Sequence, residues 1–222
     1  NFLTELKVSH CPSLSHFNCN ENQLTSIAVR NNPKLMDFHC ADNLLTSLEV
    51  AYNPALKIFD CSGNKLDYID LAANHELFSL LVKNNQLTSI ALRNNNKLEY
   101  LTLSGNQIES IDLSYNEKLV SASLDGNNLR AIDITMNTAL EDLSIDNNAF
   151  TDLRFNPNES LRELSCCGNK LYMLDVSELV NLNILRCDNN KIYTLDVSNN
   201  KNLFYLSCRY NNLSSLNVNG LA

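Results

Sequence analysis

Leucine recurs along the chain at a constant spacing of 21 residues. Ten leucines keep this spacing without an insertion or deletion: Leu14, Leu35, Leu56, Leu77, Leu98, Leu119, Leu140, Leu161, Leu182 and Leu203. When each copy is numbered from its leucine, apolar residues fill positions 1, 4, 6, 11, 14 and 16, and polar residues separate them. Such alternation is typical of short strands with one buried face. The repeat therefore predicts a solenoid in which each copy forms one coil.

Two columns of asparagine accompany the apolar positions. Position 9 is asparagine in all ten copies, from Asn22 to Asn211. Position 19 is asparagine in eight copies and is replaced by Leu179 and Leu221 in the other two. Because an amide both donates and accepts hydrogen bonds, it can pair the inward backbone groups of stacked turns. We expect each column to form a hydrogen-bonded ladder.

The same frame predicts the fold class. Strands are expected at positions 3 to 6, and a second extended segment at positions 13 to 16, with no room for a helix. We predict a mainly β, right-handed solenoid of about ten coils, with a parallel sheet on one face and extended segments and turns on the other. Two extended faces imply weak curvature. Residues 1–222 are interpreted as a single domain, with a half coil at 1–13 and full coils from 14, 35, 56, 77, 98, 119, 140, 161, 182 and 203.

The motif L-x-x-L-x-C/L-x-x-N-x-L resembles that of leucine-rich repeat proteins of the bacterial 21-residue type. Leu35, Phe38, Cys40, Asn43 and Leu45 show it almost unaltered. The resemblance covers essentially the whole chain. It implies a partner-binding parallel sheet and, by similarity to internalin-like adhesion proteins, an extracellular or cell-surface setting in a bacterium. It does not name the partner.

Charge and composition exclude some partners. The net charge of -8 argues against nucleic acid, because affinity for phosphates comes from Lys and Arg. The chain has no run of eighteen apolar residues, so we expect no membrane span.

Six of the eight cysteines share position 6, where other copies carry aliphatic residues, and are interpreted as core thiols rather than disulfide or zinc ligands. Cys11 and Cys167 lie outside this column, and Cys167 is expected to face solvent. Reactivity of these two thiols stays open. Unpaired cysteines also leave a cytoplasmic location open.

Catalysis has little support in the sequence. His16, Asp37, His39 and Asp60 fall on the outward side of the first strands, where such residues could carry acid–base chemistry. No matching nucleophile or glycine-rich phosphate loop accompanies them, so we expect no enzyme activity, no cofactor and no metal site. Carboxylates that recur at positions 7 and 15 are interpreted as solvated polar residues.

Apolar residues at outward positions are the strongest binding signal, because exposed aromatic residues with Arg are typical of binding hot spots. The N-terminal patch consists of Ile58, Phe78, Leu81 and Tyr100. The C-terminal patch consists of Ile184, Arg186, Phe204, Tyr205, Arg209 and Tyr210. A strip of hydroxyl side chains lies between them: Thr102, Ser123, Ser144 and Ser165.

These features favour a non-catalytic module that binds a protein partner, of unknown identity, on the outer face of its sheet. One alternative is a carbohydrate-binding surface, with Tyr100, Tyr205 and Tyr210 stacking on sugars. Another is a structural spacer for an enzymatic domain outside this sequence. Open strand edges at the first and last coils would also permit end-to-end self-association.

Two irregularities concern the core. Position 4 shrinks to Ala122, and the coil after it carries the large Phe150 and Phe155, which we interpret as volume compensation. Pro157 and Leu179 interrupt the back of the seventh and eighth coils, where we expect a bulge.

Overall fold

The computed structural model describes residues 1–8 and 10–221; Ser9 and Ala222, which fall within the predicted single domain, lie outside the described residues. The described part of the chain contains fourteen strands and no helix. The strands are β1 (His16–Asn18), β2 (Asp37–His39), β3 (Ile58–Asp60), β4 (Ser79–Leu81), β5 (Tyr100–Thr102), β6 (Ser121–Ser123), β7 (Asp142–Ser144), β8 (Asp152–Arg154), β9 (Glu163–Ser165), β10 (Met173–Asp175), β11 (Ile184–Arg186), β12 (Thr194–Asp196), β13 (Tyr205–Ser207) and β14 (Ser215–Asn217).

One strand from each full coil joins a ten-stranded parallel front sheet, in the order β1-β2-β3-β4-β5-β6-β7-β9-β11-β13. Partners lie one repeat apart, so that Phe17 stands opposite Phe38, and Phe38 opposite Phe59. Each strand covers positions 3 to 5, one residue fewer than the sequence predicts. The register makes every repeat position a continuous column across the sheet.

The back of the solenoid is less regular than the front sheet. Only coils 7 to 10 have strands there, and these form two separate parallel pairs, β8 with β10 and β12 with β14. Coils 1 to 6 run through the same positions without a paired strand, so the predicted extended segment becomes a strand only in the last four coils. No helix widens the back in the described residues, as the prediction of weak curvature requires.

The six apolar columns fill the interior. Phe17, Phe38 and Phe59 stack in a row, with ring centroids 5.6 Å apart at both steps. Phe150 is fully buried, and Ala122 is almost so. Close packing of this kind makes the core sensitive to single changes of side-chain volume.

The position-6 cysteines are free thiols within this core, as predicted. Cys40, Cys61 and Cys166 have no exposed surface. Burial raises the pKa of the Cys19 thiol to about 11, and burial also raises the pKa of Cys40 and Cys61. These thiols stay protonated at neutral pH and act as small apolar side chains.

Asparagine at position 9 forms the predicted ladder. The Nδ2 of Asn64 donates to the carbonyl oxygens of Cys40, Cys61 and Ser62, at 3.0, 3.0 and 3.1 Å. Its Oδ1 accepts from the backbone N–H of Leu45 in the preceding coil, at 2.9 Å. One amide thus ties two coils together and satisfies backbone groups that lie in the core.

Asparagine at position 19 forms only half of the predicted ladder. The Nδ2 of Asn74 donates to the carbonyl oxygens of Val50 and Asn53, at 3.0 and 2.9 Å. Its Oδ1 is buried and has no protein partner. The same is true of the Oδ1 atoms of Asn53, Asn95, Asn116, Asn137 and Asn200. Asparagine at position 19 therefore makes fewer hydrogen bonds than asparagine at position 9.

Of the two coils in which a bulge is expected, only one has an altered turn. Leu179 keeps the usual turn, in which its N–H donates to the Val176 carbonyl and its carbonyl accepts from Leu182, both at 3.0 Å. Coil 7 differs, because Leu161 donates to the side-chain Oδ1 of Asn158 at 3.0 Å. The prediction was wrong for the eighth coil, because a buried leucine replaces an asparagine whose oxygen is unpaired in most other coils.

Candidate binding surface

The front sheet presents side chains to solvent at positions 2, 3, 5 and 7. In each of its strands the central residue points into the core, which leaves the flanking residues on the outer face. Because neighbouring coils are in register, residues that are 21 apart in sequence become direct neighbours on this face.

The structure brings together the two rings of the N-terminal patch. The rings of Phe78 and Tyr100 meet edge to face, with centroids 5.3 Å apart, and 37% and 44% of the two residues stay exposed. Ile58 in β3 and Leu81 in β4 are half-buried beside them. The patch is a compact apolar area on rigid strands, since each strand is paired on both sides.

The C-terminal patch divides into two parts. Ile184 stands opposite Tyr205, and the guanidinium of Arg186 lies 5.1 Å from the centre of the Tyr205 ring. Phe204, 77% exposed, directly precedes Tyr205.

Arg209 and Tyr210 form the other part, in the turn after β13. Arg209 is engaged by Asp188, with Nη2 3.2 Å from Oδ2. Tyr210 has a left-handed backbone, with φ of 56°, and is highly exposed. Arg209 is therefore less available to a partner than the sequence suggests.

Position 8 is left-handed in every full coil of the described chain, which the sequence analysis missed. Residues there include Gly63, Gly105, Asn84 and Asn147. A Cβ at Gly63 would lie 2.1 Å from the Asp42 carboxylate, so a larger residue there would also displace that side chain. The enrichment of Gly and Asn at this position was the available signal.

Carboxylates at position 7 hold neighbouring coils together, which corrects their interpretation as solvated residues. The Oδ1 of Asp125 accepts from the Ser144 hydroxyl at 2.6 Å and from the Asp146 N–H at 2.8 Å. In the same way, the Oδ1 of Asp146 accepts from the Ser165 hydroxyl at 2.7 Å and from the Cys167 N–H at 2.6 Å. Two members of the hydroxyl strip, Ser144 and Ser165, therefore donate to the preceding coil.

Carboxylates at position 15 are exposed to solvent, as interpreted from the sequence, and they also cap the back turns. Asp133 accepts from the backbone N–H and the hydroxyl of Thr135, at 2.9 and 2.6 Å. The side-chain and backbone hydrogen bonds from Thr135 lower the pKa of Asp133, and those from Ser114 lower the pKa of Asp112. These carboxylates are occupied within their own coils, and nothing in their geometry resembles a calcium site.

Two carboxylates stand side by side in the centre of the outer face. Asp142 in β7 is the direct partner of Glu163 in β9. Burial, and then the charge of Glu163, raises the pKa of Asp142. The nearest hydrogen bond to Asp142 is a long one of 3.4 Å, from the Ser121 hydroxyl. Within the described part of the chain, Arg186 pairs with Glu163, whereas Asp142 has no ion pair of its own.

The predicted His/Asp cluster reduces to one exposed pair. His16 Nε2 lies 3.0 Å from Asp37 Oδ2, and His16 Nδ1 lies 2.9 Å from the Ser15 hydroxyl. His39 and Asp60 are register partners in β2 and β3. Across the described ranges, no group of three or more His, Cys, Asp or Glu side chains is placed to hold a metal ion.

Cys11 and Cys167 differ in their surroundings. Cys11 is exposed, whereas Cys167 lies on the outer face as expected but is half-buried there. Burial, and then the charge of Asp146, raises the pKa of the Cys167 thiol. Cys167 is thus a poor nucleophile at neutral pH.

This architecture defines a leucine-rich repeat protein built on 21-residue coils, of the type found in bacteria. No protein-family model matches the chain, and no curated protein sequence matches it significantly. Solved structures supply the likeness. The described residues contain no helix that is long and apolar enough to cross a membrane.

The functional domain of InlJ from Listeria monocytogenes, which includes a cysteine ladder, is 27% identical to this chain with a TM-score of 0.90. The match covers all of this chain and 57% of that one, so this chain spans little more than half of its length. The internalin InlF from Listeria monocytogenes strain 4b F2365 shares the fold, at 22% identity and a TM-score of 0.72 over 95% of this chain and 76% of that one.

The ectodomain of the Arabidopsis thaliana receptor kinase GASSHO1/SCHENGEN3, solved with CASPARIAN STRIP INTEGRITY FACTOR 2, also shares the fold. It is 24% identical, with a TM-score of 0.78 over 91% of this chain and 28% of that one. Proteins with this fold are typically interaction modules, so a binding role in general is supported.

Proposed function

We propose that this chain is a non-catalytic module that binds a protein partner on the outer face of the front sheet, with the N-terminal patch as its anchor. The observation that carries the proposal is the Phe78–Tyr100 pair, which stays substantially exposed on a sheet that fixes its position. Rigid aromatic anchors lose little conformational entropy on binding, and aromatic residues dominate measured hot spots.

The C-terminal patch offers a second contact area on the same face. Tyr100 and Tyr205 occupy the same repeat position five strands apart, which places them roughly 24 Å apart at about 4.8 Å per strand. A folded partner of ordinary size could touch both areas at once, because a standard interface buries about 800 Å² per partner.

An adhesive role at the bacterial surface, similar to that of internalins, is the setting we propose for this module. The supporting observation is the likeness to the InlJ functional domain. The alternative role, a spacer for an enzymatic domain, concerns residues outside this sequence. It would be favoured if substitutions on the outer face of the front sheet left the binding of every partner unchanged.

The test is quantitative capture of partners by the folded chain and by a variant with Phe78→Ser and Tyr100→Ser. Loss of each anchor should weaken binding by about 2 kcal/mol or more, which is roughly thirtyfold. Bound proteins are identified by mass spectrometry, and the affinity of the main partner is then measured with purified components.

The matched control carries Tyr68→Ser and Tyr115→Ser, which remove two rings that lie away from the front sheet and are more exposed, at 66% and 55%. This control should retain full binding, and circular dichroism should show the same fold for both variants. Equal binding by the two variants would contradict the proposal.

A carbohydrate ligand is supported less well. Sugars stack on free ring faces, but Arg186 already lies over Tyr205, and Phe78 contacts Tyr100. Glycan-array binding that is lost on changing Tyr100 and Tyr205 to alanine would favour this alternative over the protein partner.

A further inference from the structure

One column of the front sheet has similar ends and an acidic centre. Along the register its residues are Tyr100, Ser121, Asp142, Glu163, Ile184 and Tyr205. On each side of the centre, a carboxylate and a tyrosine therefore lie two strands apart, or roughly 10 Å. The two halves are Tyr100 with Asp142, and Glu163 with Tyr205.

In the half formed by Glu163 and Tyr205, a cation of the chain itself, Arg186, lies between the carboxylate and the ring. Arg186, in the strand between Glu163 and Tyr205, places its guanidinium 5.1 Å from the Tyr205 ring centre and Nη1 3.7 Å from Glu163 Oε2. A guanidinium is well suited to this place, because it pairs with a carboxylate and stacks on an aromatic face at the same time.

The other half has no such cation. The residue that corresponds to Arg186 in β6 is Ser123, which donates to Asp125 at 3.0 Å and lies 2.7 Å from the Ser104 hydroxyl. Among residues 1–8 and 10–221, no Lys or Arg forms an ion pair with Asp142 or lies over the Tyr100 ring. Burial and the charge of Glu163 raise the pKa of Asp142 even though the more distant Arg186 acts to lower it, as expected for a carboxylate without an adjacent cation.

We propose that the protein partner supplies this missing cation: an Arg or Lys side chain that lies between Tyr100 and Asp142, as Arg186 lies between Tyr205 and Glu163. The inference rests on the proposed function and specifies the partner's chemistry, a basic residue next to the apolar group that contacts Phe78. Charge complementarity favours it, because Asp125, Asp142 and Glu163 surround this half of the column and Arg186 is already engaged.

Selection of phage-displayed random peptides on the folded chain tests the inference, followed by affinity measurements against three variants. Asp142→Asn removes the charge. Ser123→Arg installs an internal cation at the position equivalent to Arg186. Glu178→Gln, the control, removes one exposed charge from a turn away from the front sheet.

We expect peptides that depend on Tyr100 to be enriched in Arg or Lys. Asp142→Asn and Ser123→Arg should each weaken their binding about fivefold or more, and Glu178→Gln should leave it unchanged. Replacing the basic residue of the peptide by citrulline or norleucine should weaken binding to the parent chain, with little further loss in Asp142→Asn.

Peptides that depend on Tyr100 but lack a basic residue, or that bind Asp142→Asn equally well, would overturn the inference and leave the proposed function standing. If every selected peptide were insensitive to both Tyr100 and Phe78, both would fail. Ser123→Arg disturbs the contacts of Ser123 with Asp125 and Ser104, so Asp142→Asn is the decisive variant should Ser123→Arg not fold.

Discussion

At the scale of the residue, the two asparagine columns contribute unequally to stability. Removal of the Asn64 side chain would leave the buried N–H of Leu45 without an acceptor. Removal of the Asn74 side chain would orphan no backbone group, because the Val50 carbonyl also accepts from Asn53, and the Asn53 carbonyl from Leu56. It would even remove a buried oxygen that lacks a partner.

We therefore predict that Asn64→Ala lowers the free energy of unfolding by about 2–3 kcal/mol, whereas Asn74→Leu lowers it by less than about 1 kcal/mol. Leu179 provides the precedent, since it occupies the same repeat position as Asn74 and is fully buried in an unchanged turn. Urea denaturation of both variants checks this. Equal losses would show that the unpaired oxygen has a donor in solution.

The sequence revealed these columns but not their inequality. Repetition of Asn at both positions predicts two identical ladders, and only the geometry of each turn decides which amide atoms find partners. The same limit applies to Asp125, whose acceptor role depends on a backbone N–H of the next coil. Such pairs join residues that are distant in sequence and have no pattern of their own.

At the scale of the element, the back segment of every coil ends in a turn. In five of the ten full coils an aspartate caps this turn. The sequence predicted the front strands nearly to the residue, because the apolar period is strict. On the back it predicted extended segments but not which of them pair, since coils 1 to 6 have the same apolar pattern as coils 7 to 10 but no strand. Alternation identifies an extended, half-buried segment, but strand pairing also needs aligned backbone groups.

The caps predict acid sensitivity. The pKa values of Asp112 and Asp133 are lowered from 3.8 by hydrogen bonds in the folded state, so the folded protein binds fewer protons than the unfolded chain. Their stabilisation is complete above the unfolded pKa and is lost as the pH falls through the lower folded pKa. Asp142 and Asp146, whose pKa values are raised, act in the opposite direction.

We expect the double variant Asp112→Asn, Asp133→Asn to lose less stability than the parent chain between about pH 4 and pH 2, because an amide oxygen keeps the cap without titrating. Urea denaturation at a series of pH values measures this. Parallel curves for the two proteins would contradict the prediction.

At the scale of the whole molecule, stability depends on how each coil fits its neighbours. Extended pairs and stacked columns connect only adjacent coils, so a defect in one coil is felt by the next. Ala122 and Phe150, both buried, lie in consecutive coils at different core columns. If the large Phe150 fills volume that the small Ala122 leaves empty, the two residues stabilise the protein jointly across the boundary between two coils.

We predict that Phe150→Ala costs about 3–5 kcal/mol. Ala122→Leu alone should cost about 1–3 kcal/mol through overpacking. The double variant should be more stable than the sum of these losses implies, if the two sites share volume. A double-mutant cycle by chemical denaturation decides this, and a loss below about 1 kcal/mol for Phe150→Ala or strict additivity would disprove compensation.

The candidate site was foreseen in part at this scale. Departures from the repeat identified the exposed aromatic residues, and the structure placed Phe78 against Tyr100 and Arg186 over Tyr205. The pairing of Asp142 with Glu163 was not foreseen, although the register alone brings them together. Reading each repeat position as a spatial column would have found it.

The in-register pairing of coils has a consequence for how such a chain can change in length. Unequal recombination between repeats adds or removes 21 residues at a time, and every column closes again after the event. Loss of residues 100–120, for example, would set Ser79 beside Ser121 and shorten the front sheet by one strand spacing. The distance between two surface features on either side of the event therefore varies in steps of about 4.8 Å, so the spacing of the two aromatic patches can be adjusted without disturbing the structure of either.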